Sequence, residues 1–135
     1  MIQHNFTYRV TYGDTDMMGY FYYGNYAKLY EIGRVETMRS VGISYKELES
    51  THKIMLPVVS LESRFRFPAK YDEILKISTF IKEVPSKMIT FETDIHNEQQ
   101  QLIHTAVVKL FFIDMENNSR VSCPDWMVQI IKQHF

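Results

Sequence analysis

Between Tyr12 and Tyr26 the chain reads YGDTDMMGYFYYGNY, which crowds two carboxylates, three glycines and six aromatic rings into fifteen residues. Carboxylates favour water and rings favour burial, so the mixture points to a site, a constrained turn, or both. Asp14 and Asp16 fall where a strand ends and a helix is about to begin. There they can satisfy loose backbone amides, the common task of Asp in turns and at helix starts. They can also do chemistry. A helix N-terminus presents unpaired N–H groups and partial positive charge, able to hold a developing oxyanion. An Asp delivered a few ångströms away can then act as nucleophile or general base. Gly19 and Gly24 let the backbone turn tightly there, and the rings wall a pocket and thin out its water.

Other chemistries find less support. The chain has no G-x-S-x-G elbow, no P-loop and no dinucleotide-binding glycine fingerprint. His4, His52, His96, His104 and His134 show no metal-ligand spacing and fall on different elements, so they read as ordinary strand or surface histidines, and no metal or cofactor is expected. Cys123 is the only cysteine, which rules out an intrachain disulfide and a cysteine metal cluster; as a nucleophile it would need a lowered pKa. Arg64 and Arg66 alternate along a strand and read as its solvated face, which could also meet phosphates.

The Asp-rich stretch needs a scaffold. A strand over about Asn5–Tyr12 precedes it, with Phe6, Tyr8 and Val10 on one face. A helix over about Asn25–Val41 follows, with Tyr26, Leu29, Tyr30, Gly33, Thr37 and Val41 on one side. A glycine inside that stripe weakens the helix, so Gly33 is expected to let a sheet approach closely. Gly42 suits a helix stop. A short polar helix, Ser44–Ser50, comes next. The period then becomes two: Val59, Leu61, Phe65 and Phe67 in one run, Leu75 to Ile81 in a second, Ile89 to Ile95 in a third. A longer strand covers about Leu102–Met115. Turns at Pro68, Pro85-Ser86, Asn97-Glu98 and Asn117-Asn118 suit antiparallel connections. A last helix is expected at Pro124.

One helix and about five mainly antiparallel strands must bury their apolar faces on each other, which predicts an α+β fold, a long curved sheet wrapped around one central helix. The length predicts one domain, 1–135, and 45% hydrophobic residues suffice for a core. Formal net charge is −1 with no long run of like charge, so neither nucleic acid nor an anionic membrane is expected as partner. No apolar stretch approaches membrane-spanning length, and the first residues lack a signal-peptide layout, so a cytoplasmic location is expected. Exposed sheet edges favour homo-oligomers.

The pattern Y-x-D-T-D-x-x-G-x-x-Y-Y-x-N-Y before an amphipathic helix resembles the signature of the 4-hydroxybenzoyl-CoA thioesterase family, hotdog-fold acyl-CoA thioesterases that include a Tol–Pal-associated branch. The segment R-F-R-F-P-A-K-Y-D-E-I-L is similar to the family's connection between its second and third strands, and the element order matches over nearly the whole chain. The resemblance implies hydrolysis of an acyl-CoA to free acid and CoA. It makes Asp16, the second Asp of the pair, catalytic, and assigns the amide of Tyr23, with Gly24 and Tyr22 beside it, to the thioester carbonyl. Where this chain has Tyr23 the Tol–Pal branch usually has His, so no role for that imidazole carries over.

Asp14 is expected to brace the turn. Lys82, Ser86 and Lys87, in and beside a hairpin turn, are candidates for the CoA phosphates. The family's sites lie across a subunit interface, which implies a homodimer or homotetramer with Pro57 and Val58, alongside Met55 and Leu56, lining the pocket. The alternative is a non-catalytic acyl-CoA or acyl-carrier-protein binding module on the same fold, for which a catalytic carboxylate would be unnecessary. A hydratase of this architecture would need an Asp/His arrangement on the helix, and Asn25–Val41 contains no His.

Overall fold

The period-two runs become strands, and the 3.6-period run becomes the long helix between them. A computed structural model describes all residues 1–135. The order is β1 (Ile2–Arg9), α1 (Tyr26–Ser40), α2 (Tyr45–Ser50), β2 (Ile54–Met55), β3 (Val58–Phe65), β4 (Ile74–Ile81), β5 (Met88–His96), β6 (Leu102–Asp114), β7 (Ser119–Val121) and α3 (Asp125–Lys132). Short 3₁₀ turns at Tyr12–Asp14 and Tyr23–Asn25 lie between β1 and α1. All pairings are antiparallel. The sheet runs β1-β4-β5-β6, and β3, β2 and β7 also pair with the long β6. This is the expected curved sheet around one helix, with five long strands and two short ones. β2 and β7 are two and three residues long, too short for alternation to register in sequence.

Helix α1 faces the sheet with Tyr26, Leu29, Tyr30, Gly33, Thr37 and Met38. Burying each large apolar side chain of this kind is worth about 1.5–3 kcal/mol. Gly33 does what its position in the stripe predicted: a Cβ there would overlap the Thr79 hydroxyl oxygen of β4. The Thr37 hydroxyl donates to the Gly33 carbonyl at 2.6 Å, one turn back. Ser44 caps α2, its hydroxyl accepting from the Glu47 amide at 3.3 Å.

Three boundaries differ from expectation. β1 begins at Ile2 and ends at Arg9, because its register with β4 runs from Ile2–Ile81 to Arg9–Ile74; Tyr12 is drawn instead into the first 3₁₀ turn. Pro124 sits just before the first helical residue of α3 and not inside it. In β3 the register is irregular between Val58 and Ser60, so Val58 faces Leu110 and Leu61 faces Val108. Val58, not Val59, therefore shares the face of Leu61, Ser63 and Phe65.

Candidate active site

The loop between β1 and α1 is organised by its two carboxylates. Asp14 Oδ2 accepts three hydrogen bonds, from the Tyr8 hydroxyl (2.8 Å), the Thr11 amide (2.8 Å) and the Thr11 hydroxyl (2.9 Å). The Asp14 carbonyl accepts from the Tyr22 amide at 2.8 Å and the Asn25 side-chain amide at 3.1 Å. Asp14 thus ties the end of β1 to the start of α1. Burial pushes its carboxyl pKa up, but these donors and the nearby Lys28 charge outweigh that and hold it below the ordinary value.

Asp16 opens a tight turn. Its carbonyl accepts from the Gly19 amide at 3.0 Å, and its own amide donates to the Tyr20 carbonyl at 2.9 Å. Gly19 sits at φ +79°, a left-handed conformation that suits glycine. The Oδ1 atom accepts from the Met18 amide (2.9 Å) and the Tyr20 amide (3.2 Å), while Oδ2 has no protein donor. One oxygen anchors the side chain and leaves the other available. The turn is pinned at its base by a bridge between Thr15 and Phe21 and by another between Tyr20 and Lys70.

The first turn of the helix follows directly. The Tyr22 amide is used by Asp14, the Asn25 amide donates to the Tyr22 carbonyl at 2.9 Å, and the Tyr26 amide donates to the Tyr23 carbonyl. The amides of Tyr23 and Gly24 donate to no other backbone group. A cleft of about 260 Å³ is lined by Asp16 and Tyr23 together with Tyr20, Tyr26, Phe65 and Phe67. Arg66 also lines it, the one cation that does.

Sequence reasoning thus identified Asp16 and Tyr23, which the fold brings to one cleft, with Gly24 and the exposed Tyr22 beside them. It read Phe65 and Phe67 only as one face of a strand, and Arg66 as part of a solvated face that could also meet phosphates, without placing any of them at this cleft. Their signal lay in the R-F-R-F-P segment, where Phe65 and Phe67 alternate with a basic residue at a strand end. His104 was also missed. It is fully buried on β6, stacked flat on Tyr26 (3.9 Å between centroids, 4° between planes) and edge-on to Phe65 (4.8 Å). Burial pushes its pKa down to about 4, so the ring is neutral near pH 7. No spacing pattern marks such a residue.

The remaining candidates lie elsewhere in the chain. Val58 lines a second cleft of about 290 Å³ between α1 and β3, and Pro57 precedes β3, its carbonyl accepting from the Phe111 amide at 3.1 Å. Lys87 lines a third cleft of about 410 Å³ with Arg120 and Ser122. Ser86 adjoins it, its carbonyl accepting from the Cys123 amide at 2.6 Å. The Arg120 guanidinium lies 3.6 Å above the Phe111 ring, which fixes its direction. Lys82 pairs with Glu92 at 3.1 Å. Burial, then the Asp125 charge, pushes the Cys123 thiol up to about 12, which makes it inert as a nucleophile.

A family model described as the thioesterase-like superfamily matches residues 10–131. The chain belongs to that superfamily. Among its relatives, the acyl-CoA thioesterase YbgC of Haemophilus influenzae is 28% identical over 120 residues, covering 89% of this chain and 88% of the relative. Among solved structures, a DHNA-CoA thioesterase from Staphylococcus aureus superposes with a TM-score of 0.89 at 26% identity, covering 99% of this chain and 91% of that one. A mutant 4-hydroxybenzoyl-CoA thioesterase crystallised with 4-hydroxybenzoyl-CoA has a TM-score of 0.86 at 22% identity, covering 96% of this chain and 99% of that one; at that identity it speaks for the fold alone. The fold is the hotdog fold of these thioesterases. No helix is long and apolar enough to cross a membrane.

Proposed function

We propose that the protein hydrolyses acyl-CoA thioesters, with Asp16 as the reacting carboxylate and the free amides of the 3₁₀ turn leading into α1 as the oxyanion site. The observation that carries this reading is that Asp16, with one oxygen free of protein donors, lines the same cleft as Tyr23, whose amide is unpaired. The thioester carbonyl would accept from the Tyr23 amide, with the Gly24 amide beside it. Losing one such donor typically costs about 100- to 1000-fold in rate. Two routes are open to Oδ2. It can attack the carbonyl carbon, expelling the CoA thiolate and leaving a mixed anhydride that water then cleaves. Alternatively it can take a proton from a water that attacks directly, after which the C–S bond breaks and the thiolate leaves. Both give free acid and CoA.

Within one chain the cleft of Lys87 and Arg120 is far from the one that holds Asp16. Phe65 pairs with His104 and Arg120 with Ile113, so the two ends of β6 are separated by nine residues, roughly 30 Å at the usual strand rise. The outer edge of β3 is unpaired, and Val58 (49%), Leu61 (48%) and Phe65 (56%) are exposed along it. In our reading a second copy pairs antiparallel along that edge. Its Phe65 end would then lie beside the Val58 end of the first chain, at the end of the sheet that carries Lys87 and Arg120, with β6 between that edge and the two cations. Those cations would serve the CoA phosphates at the partner's site.

The test is release of free thiol from a panel of acyl-CoAs. Catalytic turnover with at least one acyl group is expected. Saturable retention of acyl-CoA without thiol release across the panel would instead establish a binding module.

A further inference from the structure

Two of the three clefts described above lie between α1 and β3, one after the other along the helix. Tyr23 and Tyr26 line the first from the helix, with Phe65 and Phe67 opposite. Ala27, Tyr30 and Arg34 line the second, with Val58 and Leu61 opposite. What divides them is a set of side chains belonging to neither floor alone. Tyr26 stacks flat on the buried His104 and meets Phe65 edge-on at 5.6 Å. One turn along, the Tyr30 hydroxyl bonds to His104 Nε2 and lies 3.0 Å from the Ser63 hydroxyl. Ser63 sits on the same face of β3 as Leu61 and Phe65.

We propose that this partition, centred on His104, sets the length of acyl group the site accepts, an inference that rests on the hydrolase reading above. The first cleft, at about 260 Å³, takes a compact acyl group, either short aliphatic or a single ring. The space of about 290 Å³ beyond the partition, where Lys28, Glu31 and Arg34 rim an apolar floor of Val58, Leu61 and Val108, is closed to a longer chain. His104 is a positioning residue. It does not line either cleft; it holds the Tyr26 and Phe65 rings from behind, and the Ser63–Tyr30 hydroxyls hold it. Its Nδ1 is buried without a partner, a cost that an apolar residue would avoid. That cost is consistent with a ring kept for where it places its neighbours.

Chain-length profiles of the wild type, Phe65→Ala, His104→Ala and His104→Phe test this. Two readouts are needed: kcat/KM for butyryl-CoA against decanoyl-CoA, and the affinities of the matching S-alkyl-CoA thioethers, which cannot be hydrolysed. The wild type is expected to favour the short chain in both. One methylene in an apolar pocket is worth roughly tenfold or more, so removing the partition should raise the long-to-short ratio at least ~10-fold in Phe65→Ala and His104→Ala. His104→Phe keeps a ring in place and should retain the wild-type profile. If His104→Ala fails to fold, Phe65→Ala decides alone, because Phe65 is exposed and its loss does not open the core. A wild type that takes the long chain as well as the short, or an unchanged ratio in Phe65→Ala, overturns the proposal. Absence of hydrolysis with a short-chain thioether preference that relaxes in Phe65→Ala would overturn the hydrolase reading and leave the partition standing.

Discussion

Asp16 and Asp14 are two residues apart and do different work. Asp14 spends one oxygen on three donors and its carbonyl on two more, so Asp14→Asn should cost stability, by about 1–3 kcal/mol for charge-assisted bonds of this kind. Thermal melting of the variant measures it. Asp16 commits one oxygen to two amides and keeps the other available. His104 adds a pH dependence. Its folded pKa, about 4, lies below the ordinary histidine value, so the folded state favours the neutral ring. The associated stability is complete above about pH 6.5, is lost progressively as pH falls through the folded pKa, and amounts to on the order of 3 kcal/mol. Melting temperatures of the wild type should fall over that window. In His104→Phe, which cannot titrate, that part of the decline should disappear.

At the scale of elements, the decisive contact is α1 against β4 at Gly33. Gly33→Ala gains helix propensity, about 1 kcal/mol, but drives a methyl group into Thr79, a fully buried β-branched residue, an overpacking cost of about 1–3 kcal/mol. The expected result is a lower melting temperature, partly restored in Gly33→Ala/Thr79→Ala, because the two changes share one contact. This contact was legible in the sequence, as a glycine inside an apolar helical stripe. So were the long strands, because one buried face imposes strict alternation. The irregularity that puts Val58 on the face of Leu61 was not, since a single unpaired residue leaves no compositional mark. At the site, Asp14 and Asp16 stood out because carboxylates among rings are unusual, whereas the choice of Asp16 and of the Tyr23 amide came from the family resemblance. Phe65 and Arg66 meet His104 and Ile103 of β6 through the β3–β6 pairing, and long-range register cannot be read from local spacing.

Over the whole molecule, the open edge of β3 and the distance from Asp16 to Lys87 and Arg120 belong together. A single chain has Asp16 near one end of β6 and the cations Lys87 and Arg120 near the other. A symmetric pair joined along β3 would bring each cation cleft to the same end of the joined sheet as the other chain's Asp16. Sedimentation should therefore show a species of at least two chains. Arg120→Ala should raise KM for acyl-CoA while leaving KM for the corresponding acyl-pantetheine, which lacks the nucleotide phosphates, unchanged. A monomer with full activity would remove this arrangement.

The central claim is that the free oxygen of Asp16 carries the reaction. The most direct measurement is thiol release by Asp16→Asn with whichever acyl-CoA the wild type hydrolyses fastest, beside the variant's melting temperature and its affinity for the matching thioether. The side chain keeps its shape and can still accept from the Met18 and Tyr20 amides, so folding and binding should persist while kcat falls by about 100- to 10,000-fold. A folded Asp16→Asn variant that releases thiol at the wild-type rate would contradict the account.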